Sequence, residues 1–95
     1  MYNSAVEALN TDMINITIYS KKDCHLCDIA RETLLKVRQE LPFSLTEIDI
    51  EGDVKAFEKY KYLIPVIEID GEKTFNYSID ETELKKVLRM KSQPR

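Results

Sequence analysis

The sequence predicts a small α/β domain: a four-stranded mixed sheet flanked by three helices, in the order β-α-β-α-β-β-α. Three observations predict it. Strand-type alternation and helix-type periodicity take turns along the chain, as a layered α/β unit requires. One Asp-Gly pair, Asp70-Gly71, joins two neighbouring strand patterns as a tight hairpin. The 95 residues, 43% of them hydrophobic, suffice for a single modest core.

The elements follow in order. Residues 1–13 are expected to be a loosely ordered extension; "SAVEALN" offers a weak helical turn, and Met13 stands as an alternative start just before the regular pattern begins. "INITIYS" alternates Ile14, Ile16 and Ile18 with polar neighbours, which is a strand. Asp23 is the expected N-cap of the first helix, whose apolar stripe is Leu26, Ala30, Leu34, Val37 and Leu41; Pro42 stops it. "FSLTEIDI" is the second strand, ending at the turn Glu51-Gly52-Asp53. A short helix follows in "DVKAFEKYKYL", with Val54, Phe57 and Tyr60 on one side. "PVIEID" is the third strand and opens on Pro65, and "KTFNYSI" returns antiparallel after the hairpin. The last helix starts at Asp80, with Glu83 three residues on in the form of a capping box, and shows Leu84, Val87 and Leu88 to the core. The ordered domain is thus expected over residues 14–90, with a flexible tail over 91–95.

Charge narrows the function. Charged residues make up 33% of the chain and the formal net charge is −3. Acids outnumber bases, which argues against a nucleic-acid binder and its clustered basic surface. No apolar run approaches the ~20 residues that cross a membrane. The N-terminus lacks the basic start and apolar block of a signal peptide. A cytoplasmic location follows as the expectation, and there thiols are kept reduced.

Both cysteines lie in "IYSKKDCHLCDIARETLL", three residues apart at the passage from strand to helix. A helix N-terminus stabilises a thiolate through its dipole and unpaired N–H groups, so Cys24 is the candidate nucleophile. Cys27, one turn deeper and closer to the apolar stripe, is the candidate resolving thiol. Lys21 and Lys22 favour the Cys24 thiolate, and His25 assists only when protonated, the minority form of an ordinary imidazole at neutral pH. Asp23 and Asp28 oppose it, and Asp23 as N-cap competes for a donor. A closed zinc site needs about four ligands, more than two cysteines and one histidine supply. Two chains sharing a metal or an iron–sulfur cluster remain an alternative, as does an interaction module in which the pair is incidental. The strand–CxxC–helix context favours redox chemistry.

The segment "YSKKDCHLC" resembles the glutaredoxin pattern of Tyr, Ser or Thr, Lys, two residues and Cys-x-x-Cys. "EKYKYLIPVIEIDG" is similar to the tyrosine, apolar, cis-proline and strand segment of the thioredoxin superfamily. The resemblance covers residues 14–90 and implies a thioredoxin-like fold of glutaredoxin type. It implies that Pro65 is cis and packs beside the cysteines, that the Ile64 backbone pairs with the bound thiol substrate, and that Lys21 contacts a carboxylate of glutathione. The resemblance aligns Asp80 with an acidic position that meets glutathione, with a plain N-cap as the commoner role of such a residue. Three features depart from the family. His25-Leu26 stands where Pro-Tyr is usual, "NYSID" stands where glutaredoxins place Gly-Gly, and the Trp-Cys-Gly-Pro-Cys and first-strand acid of thioredoxins are missing. No tightly bound cofactor is expected. The electron donor is open between glutathione and a thioredoxin-type reductase system. Tyr60, Tyr62 and Tyr77 are candidate rims of a substrate groove beside Pro65, with packing as the commoner fate of such residues. The acidic series Glu47, Asp49, Glu51 and Asp53 reads most simply as a solvated strand end and turn. The expectation is a monomeric thiol–disulfide oxidoreductase that acts on protein or low-molecular-weight disulfides.

Overall fold

The computed structural model describes residues 13–92. The expected extension over residues 1–12, including its weak helical turn, and residues 93–95 of the expected tail lie outside the described residues. The elements are β1 (Asn15–Ser20), α1 (His25–Glu40), β2 (Ser44–Asp49), a 3₁₀ turn (Ile50–Gly52), α2 (Val54–Tyr60), β3 (Val66–Ile69), β4 (Glu72–Asn76) and α3 (Glu81–Ser92). The predicted order is the observed one.

The four strands form one sheet in the order β2-β1-β3-β4. β1 runs parallel to β2, with Ile18 opposite Glu47, and antiparallel to β3, with Ile18 opposite Ile67 and Tyr19 opposite Val66. Alternation along β1 and β3 then sorts side chains onto two faces. Ile16, Ile18, Ile67 and Ile69 are buried in one cluster with Ala30, Leu34 and Val37 of α1 and Leu84 and Leu88 of α3. Tyr19 and Glu68 alternate with these residues and so face the other way, where Tyr60 of α2 meets both. Helices therefore cover both faces. The result is a thioredoxin-like α/β fold.

The helix faces needed the structure to settle. In α1 the buried stripe is Cys27, Ala30, Leu34 and Val37, and Leu26 is 48% exposed rather than core. In α2 the buried residues are Ala56 and Tyr60, while Val54 is 81% exposed. Docking of Tyr60 on the sheet sets the rotation of this short helix. At about 100° per residue, Phe57 is then ~60° off the docked direction and Val54 ~120° off. Phe57 is accordingly partly exposed and Val54 fully so.

The helix ends obey local rules. Leu41 caps α1 in an extended conformation, φ −129°, as a residue before proline must. At the hairpin, Asp70 (φ 52°) and Gly71 (φ 84°) both adopt the left-handed region that a two-residue turn of this type demands. β4 ends at Asn76, short of the predicted span, because Tyr77 turns left-handed. The Asp80 carboxylate accepts the Glu83 N–H at 3.1 Å, and α3 continues through Ser92. Lys91 and Ser92 thus belong to the helix rather than to the expected tail. No helix among the described residues is long and apolar enough to cross a membrane.

Candidate active site

β1 ends at Ser20, which is buried, and the chain crosses exposed Lys21, Lys22 and Asp23 before α1 begins. Asp23 was the expected N-cap, but it lies one residue outside, left-handed at φ 56°, a conformation aspartate tolerates better than most residues. Cys24 caps the helix instead. Its Sγ accepts the Cys27 N–H at 3.2 Å, and its carbonyl accepts the Asp28 N–H at 3.2 Å. Asp23 therefore does not compete for the donor that serves Cys24.

Cys24 and Cys27 are joined as a disulfide, with their Cα atoms 5.2 Å apart. The two sulfurs sit in unlike surroundings. Cys24 is only partly covered, whereas Cys27 is fully buried in the α1 stripe. The intervening His25 and Leu26 are both exposed.

The Ile64–Pro65 peptide bond is cis, Pro65 is buried and Ile64 half-buried. Because Tyr19 pairs with Val66, Pro65 enters the sheet where β1 leaves it. The cysteine loop and the proline segment thus share one end of the sheet. Lys21 and Lys22 form no ion pair among the described residues. Also among the described residues, no three metal-ligating side chains come together.

Tyr77 borders the proline segment. Its N–H donates to the Pro65 carbonyl at 2.8 Å and its hydroxyl to the Tyr62 carbonyl at 3.0 Å. Its φ of 72° is left-handed. A side chain there costs about 1–2 kcal/mol, and one hydrogen bond returns about 0.5–1.5 kcal/mol. The two nearly cancel. Of the three tyrosines considered as groove rims, Tyr62 and Tyr77 are exposed, while Tyr60 is buried with its hydroxyl bound to Glu68.

Two polar clusters escaped the sequence reading. Behind the cysteine loop, Arg31 of α1 donates to both Glu47 oxygens, through Nε at 2.8 Å and through a second guanidinium nitrogen, and to Asp28 at 2.9 Å. The Ser20 hydroxyl donates to Glu47 at 2.7 Å. This ties the first turns of α1 to the end of β1 and to β2. The Arg31 hydrogen bonds hold Glu47 below the usual carboxylate range, and Glu47 in turn raises Arg31. Glu47 is therefore paired while still exposed to solvent. Asp49 and Asp53 cap the 3₁₀ turn and α2 through the Glu51 and Ala56 N–H groups. All four acids of the series are exposed, as expected of a solvated strand end and turn, and three of them also hold a cap or an ion pair.

The second cluster lies on the α2 face. Glu68 is nearly buried and accepts the Tyr60 hydroxyl at 2.6 Å and the Tyr19 hydroxyl at 3.3 Å, with Lys59 Nζ 4.0 Å away. Burial first, and then the Glu68 hydrogen bond, pushes Tyr60 up to about 12. Burial and the Glu68 charge raise Tyr19 in the same direction. Glu68 interrupts the apolar "PVIEID", and that interruption was its only sequence signal. An open groove of about 510 Å³ is lined by residues of the 3₁₀ turn and α2 and contains neither cysteine nor Pro65.

Comparison with known proteins accords with this geometry. Residues 15–89 match the model of the Glutaredoxin-like domain (DUF836). Over 81 residues the chain is 36% identical to the glutaredoxin-like protein YDR286C homolog of Dictyostelium discoideum, covering 79% of this chain and 75% of that one. Among solved structures, the structural-genomics target protein XcR50 of X. campestris superposes with a TM-score of 0.66 at 27% identity, covering 79% of this chain and 96% of that one. The thioredoxin of Fasciola hepatica shares the fold, with a TM-score of 0.58 at 18% identity over 90% of this chain and 89% of its own. A thioredoxin-like sheet with CxxC at the first helix start, matched to that family model over most of its length, is a member of the glutaredoxin-like (DUF836) family.

Proposed function

We propose that the chain is a thiol–disulfide oxidoreductase with Cys24 as nucleophile and Cys27 as resolving thiol. The asymmetry of the pair carries the proposal. The Cys24 sulfur caps a 16-residue helix, partly open to solvent and accepting the Cys27 N–H, while Cys27 is buried. A helix N-terminus favours the thiolate over the thiol at the exposed position. The buried position suits a thiol that reacts only with its neighbour.

In the reduced protein, the Cys24 thiolate attacks one sulfur of a substrate disulfide. The Cys24–substrate bond forms, the substrate S–S bond breaks, and the leaving thiolate takes up a proton. Cys27 then gives up its proton and attacks the Cys24 sulfur, closing the intramolecular disulfide and releasing the second substrate thiol. Two electrons and two protons pass from the dithiol to the substrate. An external thiol donor, glutathione or a thioredoxin-type reductase system, returns them.

Substrate binding falls to Lys21, Ile64 and Pro65. Among the described residues no hydrogen-bond partner meets the Ile64 main chain, which supports pairing of that edge with an incoming backbone. Exposed Lys21 offers a positive charge to a carboxylate near the substrate thiol. His25 and Asp23 flank Cys24 and modulate it in opposite senses. His25 favours the thiolate when protonated, and Asp23 disfavours it.

Re-reduction of the oxidised protein tests the proposal. Either glutathione or a thioredoxin with its reductase restores two free thiols per chain at a rate that supports turnover. In Cys27→Ser, mass spectrometry finds the substrate retained on Cys24. A protein that neither donor reduces, or a Cys27→Ser variant that traps nothing, contradicts it.

A further inference from the structure

We infer that Tyr77 is a positioning residue for the substrate main chain and biases the site toward disulfides carried on extended polypeptides. The inference rests on the thiol–disulfide reading above and goes beyond it by assigning a substrate class. It starts from a backbone outlier. Tyr77 is left-handed at φ 72°, where a bulky residue is rare, directly after the Val66–Asn76 pair that ends the β3–β4 ladder. The strain and the hydroxyl bond are of similar size and opposite sign, so net stability does not account for a tyrosine here. Outliers of this kind concentrate where geometry serves function.

The hydrogen bonds indicate which geometry is served. The Tyr77 N–H holds the Pro65 carbonyl and its hydroxyl holds the Tyr62 carbonyl. Tyr77 thus fixes both ends of the four-residue segment 62–65, its main chain at one end and its hydroxyl at the other. The edge so fixed is the Ile64 main chain, which has no hydrogen-bond partner among the described residues.

The surroundings point to a chain rather than a compact molecule. Tyr77 is 49% exposed and Tyr62 80%. Lys61 Nζ lies 5.5 Å from the ring centroids of both Tyr62 and Phe57, so an aromatic and cationic strip adjoins the segment that Tyr77 holds. A polypeptide pairing with Ile64 passes this strip and gains stacking area from it. A small disulfide has no main chain to pair with Ile64 or to lay along the strip.

The test compares Tyr77→Phe and Tyr77→Gly with the wild type, using dithiothreitol as reductant. Insulin serves as the polypeptide disulfide and hydroxyethyl disulfide as the compact one. Tyr77→Gly, which loses both the hydroxyl bond and the ring, raises KM for insulin about tenfold with kcat unchanged. Tyr77→Phe, which keeps the ring, raises it less. Neither variant changes hydroxyethyl disulfide reduction or the thiol pKa of Cys24, and Tyr77→Gly melts no lower than wild type because glycine relieves the backbone. Equal losses on both substrates in step with a lower melting temperature overturn the inference in favour of a merely structural tyrosine. An unchanged insulin KM in both variants overturns it as well. A wild type that reduces neither probe overturns the thiol–disulfide reading itself, and the assignment of Tyr77 with it.

Discussion

The Tyr60 hydroxyl donates a 2.6 Å hydrogen bond to the Glu68 carboxylate beneath α2. This bond joins the short helix to the centre of the sheet. A nearly buried carboxylate is costly unless its oxygens find donors, and here Tyr60 and Tyr19 each serve one oxygen. Removing the stronger donor leaves that charge short of a partner. Tyr60→Phe is expected to lower unfolding free energy by about 1–3 kcal/mol in urea titrations. A change below measurement error contradicts the role given to this bond.

The same residue shapes the alkaline limb of stability. The folded state holds the Tyr60 phenol up to about 12, against an ordinary value near 10. A group raised in this way contributes stability below the ordinary value and loses it as pH climbs toward the folded one. Wild type is therefore expected to lose stability between about pH 10 and 12 more steeply than Tyr60→Phe, as melting temperatures across that range report. Parallel curves contradict the assignment.

At the acid end the relevant pair is Arg31 and Glu47. Glu47 is held low by Arg31, so its contribution is present above the ordinary carboxylate range and is lost as pH falls through the folded value. Both side chains are about one-third exposed, so the pair is worth no more than about 1 kcal/mol at neutral pH. Arg31→Met is expected to cost that much at pH 7 and to flatten the decline below about pH 4.5. An acid limb as steep as that of wild type shows that other carboxylates govern it.

Leu34 is fully buried between α1 and the sheet. Leu34→Ala is expected to cost about 2–5 kcal/mol, the usual range for an unfilled core position. Leu26→Ala, on the exposed side of the same helix, is expected to cost less than about 0.5 kcal/mol. The pair of measurements checks the rotation of α1 directly. Equal costs contradict it.

Element order, the hairpin and the CxxC placement were legible because local chemistry dictates them. Asp70-Gly71 reads as a turn since both residues must go left-handed, and Pro42 stops a helix wherever it falls. What stayed illegible depends on partners far away in sequence. Val54, Phe57 and Tyr60 look equivalent in a seven-residue helix until Tyr60 docks on Glu68. Glu47 looks like one more surface acid until Arg31, sixteen positions earlier, reaches it. Asp23 is a good capping residue in isolation, yet the Cys24 sulfur takes the cap. In the candidate site, the two cysteines and their order of exposure could be read, but the Tyr77 contacts could not, since they span fifteen residues through the fold.

The most direct test titrates the Cys24 thiol. In the reduced protein, with Cys27→Ser to isolate the site, the pH dependence of iodoacetamide alkylation reports the thiol pKa. A helix N-terminus and the adjacent N–H are expected to place it at least about one unit below the ~8.5 of a free thiol. Cys24→Ser alone is expected to abolish disulfide reduction. A Cys24 that alkylates with an unperturbed pKa, or a Cys24→Ser protein that still reduces disulfides, contradicts the assignment of Cys24 as the nucleophile.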